Sequence, residues 1–471
     1  MTPQFDNSYA RLPERFFTKL SAEPVSEPKL LMLNETLAQD IGLDPSWLAG
    51  PDGVSMLAGN SLPDGADPLA QVYAGHQFGG WSPRLGDGRA LLLGEITGPD
   101  GRHWDLQLKG SGRTPYSRSG DGRAWLGPVI REYLVSEAMA ALGVPTTRGL
   151  AVVGTGETVL REAPFPGAIL TRVASSHLRV GTFQYFASIQ DHDALETLLG
   201  YAITRHYPEL APDDALGFLR AVVQAQANLV AKWMGLGFIH GVMNTDNCHV
   251  GGLTIDYGPC AFLDTYHPAK VFSSIDQFGR YAYGAQPEIL VWNLAQLASA
   301  LLPLIDENSD AAVEAAQTVL QDYGPAYTRA WQEVFFPKIG LSSGGDDEIA
   351  LVQDLLQRMA DNQADFTLTF RALLEGGARD LFVDPTAFDA WEATWRTHGP
   401  DDALMAHANP AVIPRNHQIE RVIQAAIAGD MAPFQEMAVI LRTPFDPGPG
   451  AALWQKAPLD EELVQRTFCG T

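Results

Sequence analysis

Between His240 and Pro259 the chain reads HGVMNTDNCHVGGLTIDYGP, and three of its side chains, Asp246, Asn247 and Asp256, bring oxygen donors into one short polar stretch. One or two carboxylates with an amide oxygen suit Mg2+ or Mn2+, which complete their shells with water and substrate phosphate. Taken alone, the same residues also serve as turn caps. Cations stand elsewhere in the chain. Arg172 and Arg179 lie seven residues apart in TRVASSHLRVG, and with Arg89 and Lys109 they supply four positive groups for one polyanion. Such a cage suits a reaction in which charge develops on a departing diphosphate. Gly86 and Gly88 sit in RLGDGR at 84–89, a turn tight enough for backbone to approach a phosphate, although Gly-Asp-Gly is also an ordinary hairpin turn.

Lys109 ends an alternating stretch, and Glu132 follows 23 residues later inside a helical pattern. A strand lysine paired with a helix glutamate is the device by which protein kinases orient phosphates. Glu137 on the same helix is a rival partner, and both charges could equally be solvated. Kinases also put an Asn and the Asp of an Asp-Phe-Gly triplet on the metal, and here Asn247 is followed by Asp256 in Asp-Tyr-Gly. One element departs from that scheme. Small-molecule kinases with a His-Gly-Asp loop carry their base directly after the glycine, where this chain has Val242. Asp246 is the replacement able to take a proton from an attacking hydroxyl.

The elements that must position these groups follow from pattern. ALLLGEI at 90–96 and WDLQLKG at 104–110 read as strands, and PVIREYLVSEAMAAL at 128–142 reads as a helix with the stripe Ile130, Tyr133, Leu134, Ala138 and Leu142. A second helix is expected over 213–235, then two tiny strands and loops at 238–259, then helices from 287 onward. The fold class expected is α+β and kinase-like. Its parts are a loop-rich wrapping segment (1–65), a β-rich lobe (66–184), a helical lobe (185–330) and a helical extension (331–471). With 471 residues and 46% hydrophobic content a large core is assured. A formal charge of −24 argues against nucleic acid as partner. No apolar run reaches the roughly 18 residues of a membrane span, and no leader is visible. Cys248, Cys260 and Cys469 are too few and scattered for a disulfide framework, so a reducing, cytoplasmic setting is expected.

Assembled, these stretches resemble the selenoprotein O (YdiU) family of kinase-like protein adenylyltransferases. The resemblance runs through FDNSYARLPERFF, VYAGHQFGGWSPRLGDGRALLLGE, LKGSGRTPYSRSGDGRAWL, the HGVMNTDN to DYGP stretch, DQFGRYAYGAQPEILVWNLAQLA and NPAVIPRNHQIE. It implies ATP bound in a flipped orientation that exposes the α-phosphorus. Gly86, Gly88, Arg89, Lys109, Asp121, Gly122, Arg172 and Arg179 would line the nucleotide, and Glu132 would orient Lys109. Asp246 would be the base, and Asn247 with Asp256 would hold Mg2+ or Mn2+. The acceptors implied are Ser, Thr or Tyr hydroxyls of proteins, with AMP transferred from ATP and UTP as a further donor. A γ-phosphoryl kinase and a non-catalytic pseudokinase are the competing expectations. Some relatives pair a C-terminal cysteine with one before DQFGRY; here Cys469 is present but 265–285 holds no cysteine and Phe272 stands near that place, so that redox lock is not expected.

Overall fold

Strand-forming sequence is concentrated before residue 175. In the computed structural model, which describes residues 2–468, Phe17–Lys19 (β1), Lys29–Leu33 (β2) and Leu69–Gln71 (β3) are followed by a small hairpin, Gly75–Gln77 (β4) and Gly80–Ser82 (β5). Then come Ala90–Thr97 (β6), His103–Lys109 (β7), Ala124–Trp125 (β8), Arg148–Leu160 (β9) and Pro164–Ala174 (β10). One antiparallel sheet runs β1-β3-β6-β7-β10-β9-β2, with β8 added on β10. The protein is thus mixed α+β, with a sheet-bearing N-terminal region and a helical C-terminal part.

Period-two alternation gives this sheet two chemically different faces. Leu106 and Leu108 of β7, Leu91 and Leu93 of β6, and Ile169 and Val173 of β10 share a buried apolar cluster with Leu37, Leu48, Met56 and Leu57. Those last four come from Glu35–Asp40 (α1), Pro45–Leu48 (α2) and Pro51–Ala58 (α3). Residues 1–65, expected to be loop-rich, therefore supply both edge strands and three short helices that roof one face. The opposite face carries Gln107 and Lys109. It is covered by Leu126–Ala141 (α4), whose buried residues include four of the five expected from the pattern, Ile130, Tyr133, Leu134 and Ala138; the fifth, Leu142, is buried at the helix C-cap.

The helical part begins with Val180–Ser188 (α5), His192–His206 (α6) and Ala215–Gly235 (α7). Within 238–259 only one strand forms, Phe238–Ile239 (β11); its partner Ala261–Phe262 (β12) lies just beyond. Gln286–Ile305 (α8), Ser309–Gln321 (α9) and Tyr323–Lys338 (α10) follow, then Asp346–Asp361 (α11), Phe366–Glu375 (α12), Pro385–Arg396 (α13), Asp402–Ala408 (α14), Asn416–Ile427 (α15), Ala432–Ile440 (α16) and Ala452–Gln455 (α17). Among the described residues one stretch, Tyr283–Ile305, is long and apolar enough to cross a membrane by composition. Its Leu290, Leu294, Leu297 and Leu301 are buried, and its Gln286 and Asn293 bond to the backbone of the 238–243 stretch.

The match NPAVIPRNHQIE acquires a role here. Arg415 pairs with Asp264 at 2.7 Å and Asp365 at 2.8 Å, while Asn416 both accepts from Phe262 N and donates to Phe262 O at 3.1 and 2.8 Å. One turn on, Glu420 pairs with Arg131 of α4. Helix α15 thus ties β12 to the helix that carries Glu132.

Candidate active site

Sheet register explains why the cations converge. Leu170 lies opposite Lys109 and Arg172 opposite Gln107 across the β10–β7 pair, so Arg172 is a diagonal neighbour of Lys109 on one face. Lys109 Nζ donates to Glu132 Oε2 at 2.5 Å and to Asp256 Oδ1 at 2.7 Å. Arg172 Nη1 donates to the same Asp256 Oδ1 at 2.7 Å and to Glu132 Oε1 at 3.2 Å, and Gln107 Oε1 holds the rest of its guanidinium. Glu132 is therefore the partner of Lys109. Glu137, the rival, is taken by Arg148, Gly149 N and Asn34.

Arg179 caps the start of α5 and reaches the same cluster from the other side. Its guanidinium lies 4.3 Å from the centre of the Tyr73 ring, 3.5 Å from Asp87 Oδ1 and 3.6 Å from Asp256 Oδ2. Burial works against its charge, but Tyr73, Asp87, Asp256 and Asp246 together hold the guanidinium more strongly protonated than usual. Burial also works against ionisation of Asp256, yet Lys109, Arg172 and Arg179 keep that carboxyl well below its ordinary range. Asp256 takes φ 65°, an unusual backbone state for a residue with a Cβ and one that a site can use to aim a side chain.

Asp246 lies on the single turn Thr245–Asn247 and is buried. Burial pushes its carboxyl up to about 6, against a hydrogen bond from Gln77 that favours the charge. Oδ2 accepts from Gln77 at 3.1 Å, whereas Oδ1 has no hydrogen-bond partner. Val242, in the position of the missing base, is buried and carries no polar atom on its side chain.

A metal ion finds a suitable donor set here. Asn247 Nδ2 donates to Val242 O at 3.0 Å, which fixes the amide and leaves its carbonyl oxygen for another use. Asp256 Oδ2 has only the long contact to Arg179. One amide oxygen and one carboxylate oxygen are hard donors of the kind Mg2+ and Mn2+ accept. Among the described residues no group of three or more His, Cys, Asp or Glu could hold a metal, so water or substrate phosphate must complete the shell.

The remaining expected residues are more dispersed. Arg89 lines a small cavity with Lys109, Glu132, Ala124 and Tyr257, and its carbonyl accepts from Gly110 N at 2.7 Å. Gly86 has φ 74°, and a Cβ there would lie 2.3 Å from the Tyr116 ring; one at Gly88 would lie 2.9 Å from Tyr116 O. Asp121 is held by both terminal nitrogens of Arg161 at 2.9 Å, apart from the ion pairs of the cluster. Gly122 faces Gly112, whose N donates to Gly122 O at 3.2 Å.

Sequence reasoning missed Asp87, Tyr73 and Gln77. Asp87 was legible as a charge between two glycines, but its inward direction was not. Nor was the buried network behind the cations visible: His177 Nδ1 meets Asp105 Oδ2 at 3.0 Å, and Arg205 donates to Asp105 at 2.7 Å and pairs with Glu95. That network anchors the loop between Arg172 and Arg179.

The family model described as "Protein adenylyltransferase SelO" covers residues 1–442. The chain belongs to the SelO family. Curated relatives extend over essentially the whole chain, and each carries the name "Protein nucleotidyltransferase YdiU". That of Jannaschia sp. (strain CCS1) is 56% identical over 480 residues, covering 99% of each chain. That of Ruegeria sp. (strain TM1040) is 56% identical over 473 residues, again 99% of each. That of Nitrobacter hamburgensis is 54% identical over 487 residues, covering 99% of this chain and 96% of the relative.

Proposed function

We propose that this SelO-family member is a protein nucleotidyltransferase that moves AMP from ATP, and UMP from UTP, to Ser, Thr or Tyr hydroxyls of proteins. The observation that carries the reading is Asp246: a buried carboxylate with one unpartnered oxygen, beside three cations gathered on Asp256, in a site whose usual kinase base position holds Val242. A kinase-like arrangement is supported by a smaller sheet-bearing lobe, to which residues 1–65 add both edge strands, and a larger helical one (185–330). The buried free thiol of Cys248 suits a cytoplasmic setting.

In this mechanism Lys109, Arg172, Arg179 and Arg89 hold the phosphates, with Gly86 and Gly88 letting backbone come close. Asp121 and Gly122 would bound the nucleotide from the loop beyond β7. Asp246 takes the proton of the acceptor hydroxyl as its oxygen bonds to the α-phosphorus, and the bond to the β-phosphate oxygen breaks to release pyrophosphate. Asn247 and Asp256 would hold Mg2+ or Mn2+, which would supply positive charge to offset that of the phosphates. Charge balance supports that requirement. Glu132, Asp256, Asp87 and Asp246 already match the four cations, so a polyphosphate needs added positive charge.

The test is transfer of label from ATP marked at the α- or the γ-phosphorus, with Mg2+ or Mn2+ present. Label from the α position alone is expected. Label from the γ position alone would make the protein a kinase, and ATP binding without transfer of either label would leave a non-catalytic nucleotide-binding role. Asp246→Asn should abolish transfer while ATP affinity stays within about twofold, as expected of a group that acts on the acceptor rather than on the nucleotide.

A further inference from the structure

The segment GHQFGGWS at 75–82 lies outside the residues proposed above to hold nucleotide, and it forms a hairpin of its own. Gly75 pairs with Ser82, His76 with Trp81 and Gln77 with Gly80, and the two turn residues Phe78 and Gly79 have φ of 50° and 83°, as a two-residue hairpin turn requires. Three consecutive residues of this hairpin bond to three consecutive residues of the turn that carries Asp246. His76 N donates to Thr245 Oγ1 at 2.7 Å, Gln77 Nε2 to Asp246 Oδ2 at 3.1 Å and Phe78 N to Asn244 Oδ1 at 3.0 Å. Asn244 Oδ1 also accepts from Tyr281 Oη at 2.7 Å, which ties the DQFGRY stretch to the same unit.

The hairpin is seated firmly. The His76 ring lies between Trp81 and Trp292, with centroids at 4.8 and 5.1 Å, and Gln184 Nε2 meets its Nδ1 at 2.9 Å. Gly75 is required by the same docking, because a Cβ there would lie 2.7 Å from Asp246 Oδ1. A carboxylate only accepts hydrogen bonds, so Gln77 must present its NH2 group to Oδ2. The Asp χ2 torsion is otherwise broad and nearly two-fold.

We propose that Gln77 is a positioning residue for group transfer. By donating to Oδ2 it holds the carboxylate against rotation, and Oδ1, buried and unpartnered above Gly75, becomes the oxygen that meets the acceptor hydroxyl. This rests on the reading of Asp246 as the base. The hairpin then has no direct role in nucleotide affinity, and its loss is felt only when the hydroxyl is aligned.

The experiment measures kcat for transfer of α-label at saturating ATP, and ATP Kd by calorimetry, in Gln77→Met, Gln77→Glu and Asp246→Asn. Gln77→Met keeps the length of the side chain and removes the donor. It is expected to lower kcat by about ten- to a hundredfold with ATP Kd within about twofold, the size of effect that misalignment of a reacting group produces. Gln77→Glu keeps the shape but faces one carboxylate with another, and should lose at least as much; it carries the test if Gln77→Met does not fold. Wild-type kcat in either Gln77 variant overturns the proposal, as does a kcat loss matched by an equal loss of ATP affinity. Full activity in Asp246→Asn would remove the base itself, whereas an inactive Asp246→Asn beside a fully active Gln77→Met removes only the role of Gln77.

Discussion

Lys338, at the end of α10, is a buried amine with almost nothing to compensate its charge. Its Nζ reaches one carbonyl, Ala408 O at 3.4 Å, and otherwise sits over the rings of Phe370 and Phe366 at 4.6 and 5.8 Å. Burial lowers its pKa from 10.5 to about 7. The unfolded chain therefore binds more protons than the folded one between about pH 7 and 10.5, and the stability lost to Lys338 is largest below that window and vanishes above it. At 1.36 kcal/mol per unit, the cost is about 4 kcal/mol at pH 7 and about 1 kcal/mol at pH 10. The two aromatic faces return on the order of 1 kcal/mol to the charged form. Lys338→Met keeps length and removes the charge. With an unfolding entropy of about 1 kcal/mol/K for a chain this long, Tm should rise by about 3 °C at pH 7 and by about 1 °C at pH 10. Differential scanning calorimetry of both proteins across pH 6–10 reads this directly. A lower Tm for the variant, or a gain that does not shrink with pH, would refute the assignment of Lys338 as an unpaired buried cation.

Arg415→Met should be strongly destabilising, by roughly 3–5 kcal/mol in chemical denaturation, because it strands the carboxylates of Asp264 and Asp365 in the interior. Gly86→Ala drives a methyl group to within 2.3 Å of the Tyr116 ring at a left-handed φ, and should weaken ATP binding at least about tenfold in calorimetry. Asp87→Asn leaves the volume unchanged but frees Arg179 from one of its two carboxylates, so KM for ATP should rise about three- to tenfold while Tm changes little.

Much of the site was legible because its chemistry is local in the chain. Asp246 and Asn247 are adjacent, Asp256 follows within one stretch of turn residues, and the alternation of β7 already placed Lys109 and Gln107 on the face opposite Leu106 and Leu108. The helix carrying Glu132 announced itself by its apolar period, though both Glu132 and Glu137 stayed open as partners. The strands and helices within the loop-rich residues 1–65 carry little local signal, because they are short and the strands gain their meaning only as the two edges of a sheet assembled from elsewhere. Any role for Cys469 falls outside the described residues.

Residue types and spacing by themselves determined which groups could bind phosphate, hold a metal or take a proton, since those capacities belong to side chains and survive in any fold. Only tertiary structure decided which of them meet. The choice of Glu132 over Glu137, the convergence of Lys109, Arg172 and Arg179 on Asp256, the inward turn of Asp87 and the seating of Gln77 on Asp246 all depend on sheet register and on contacts between segments distant in the chain. A sequence carries no local signal for such pairings, because the distance between two side chains is set by the packing of everything between them.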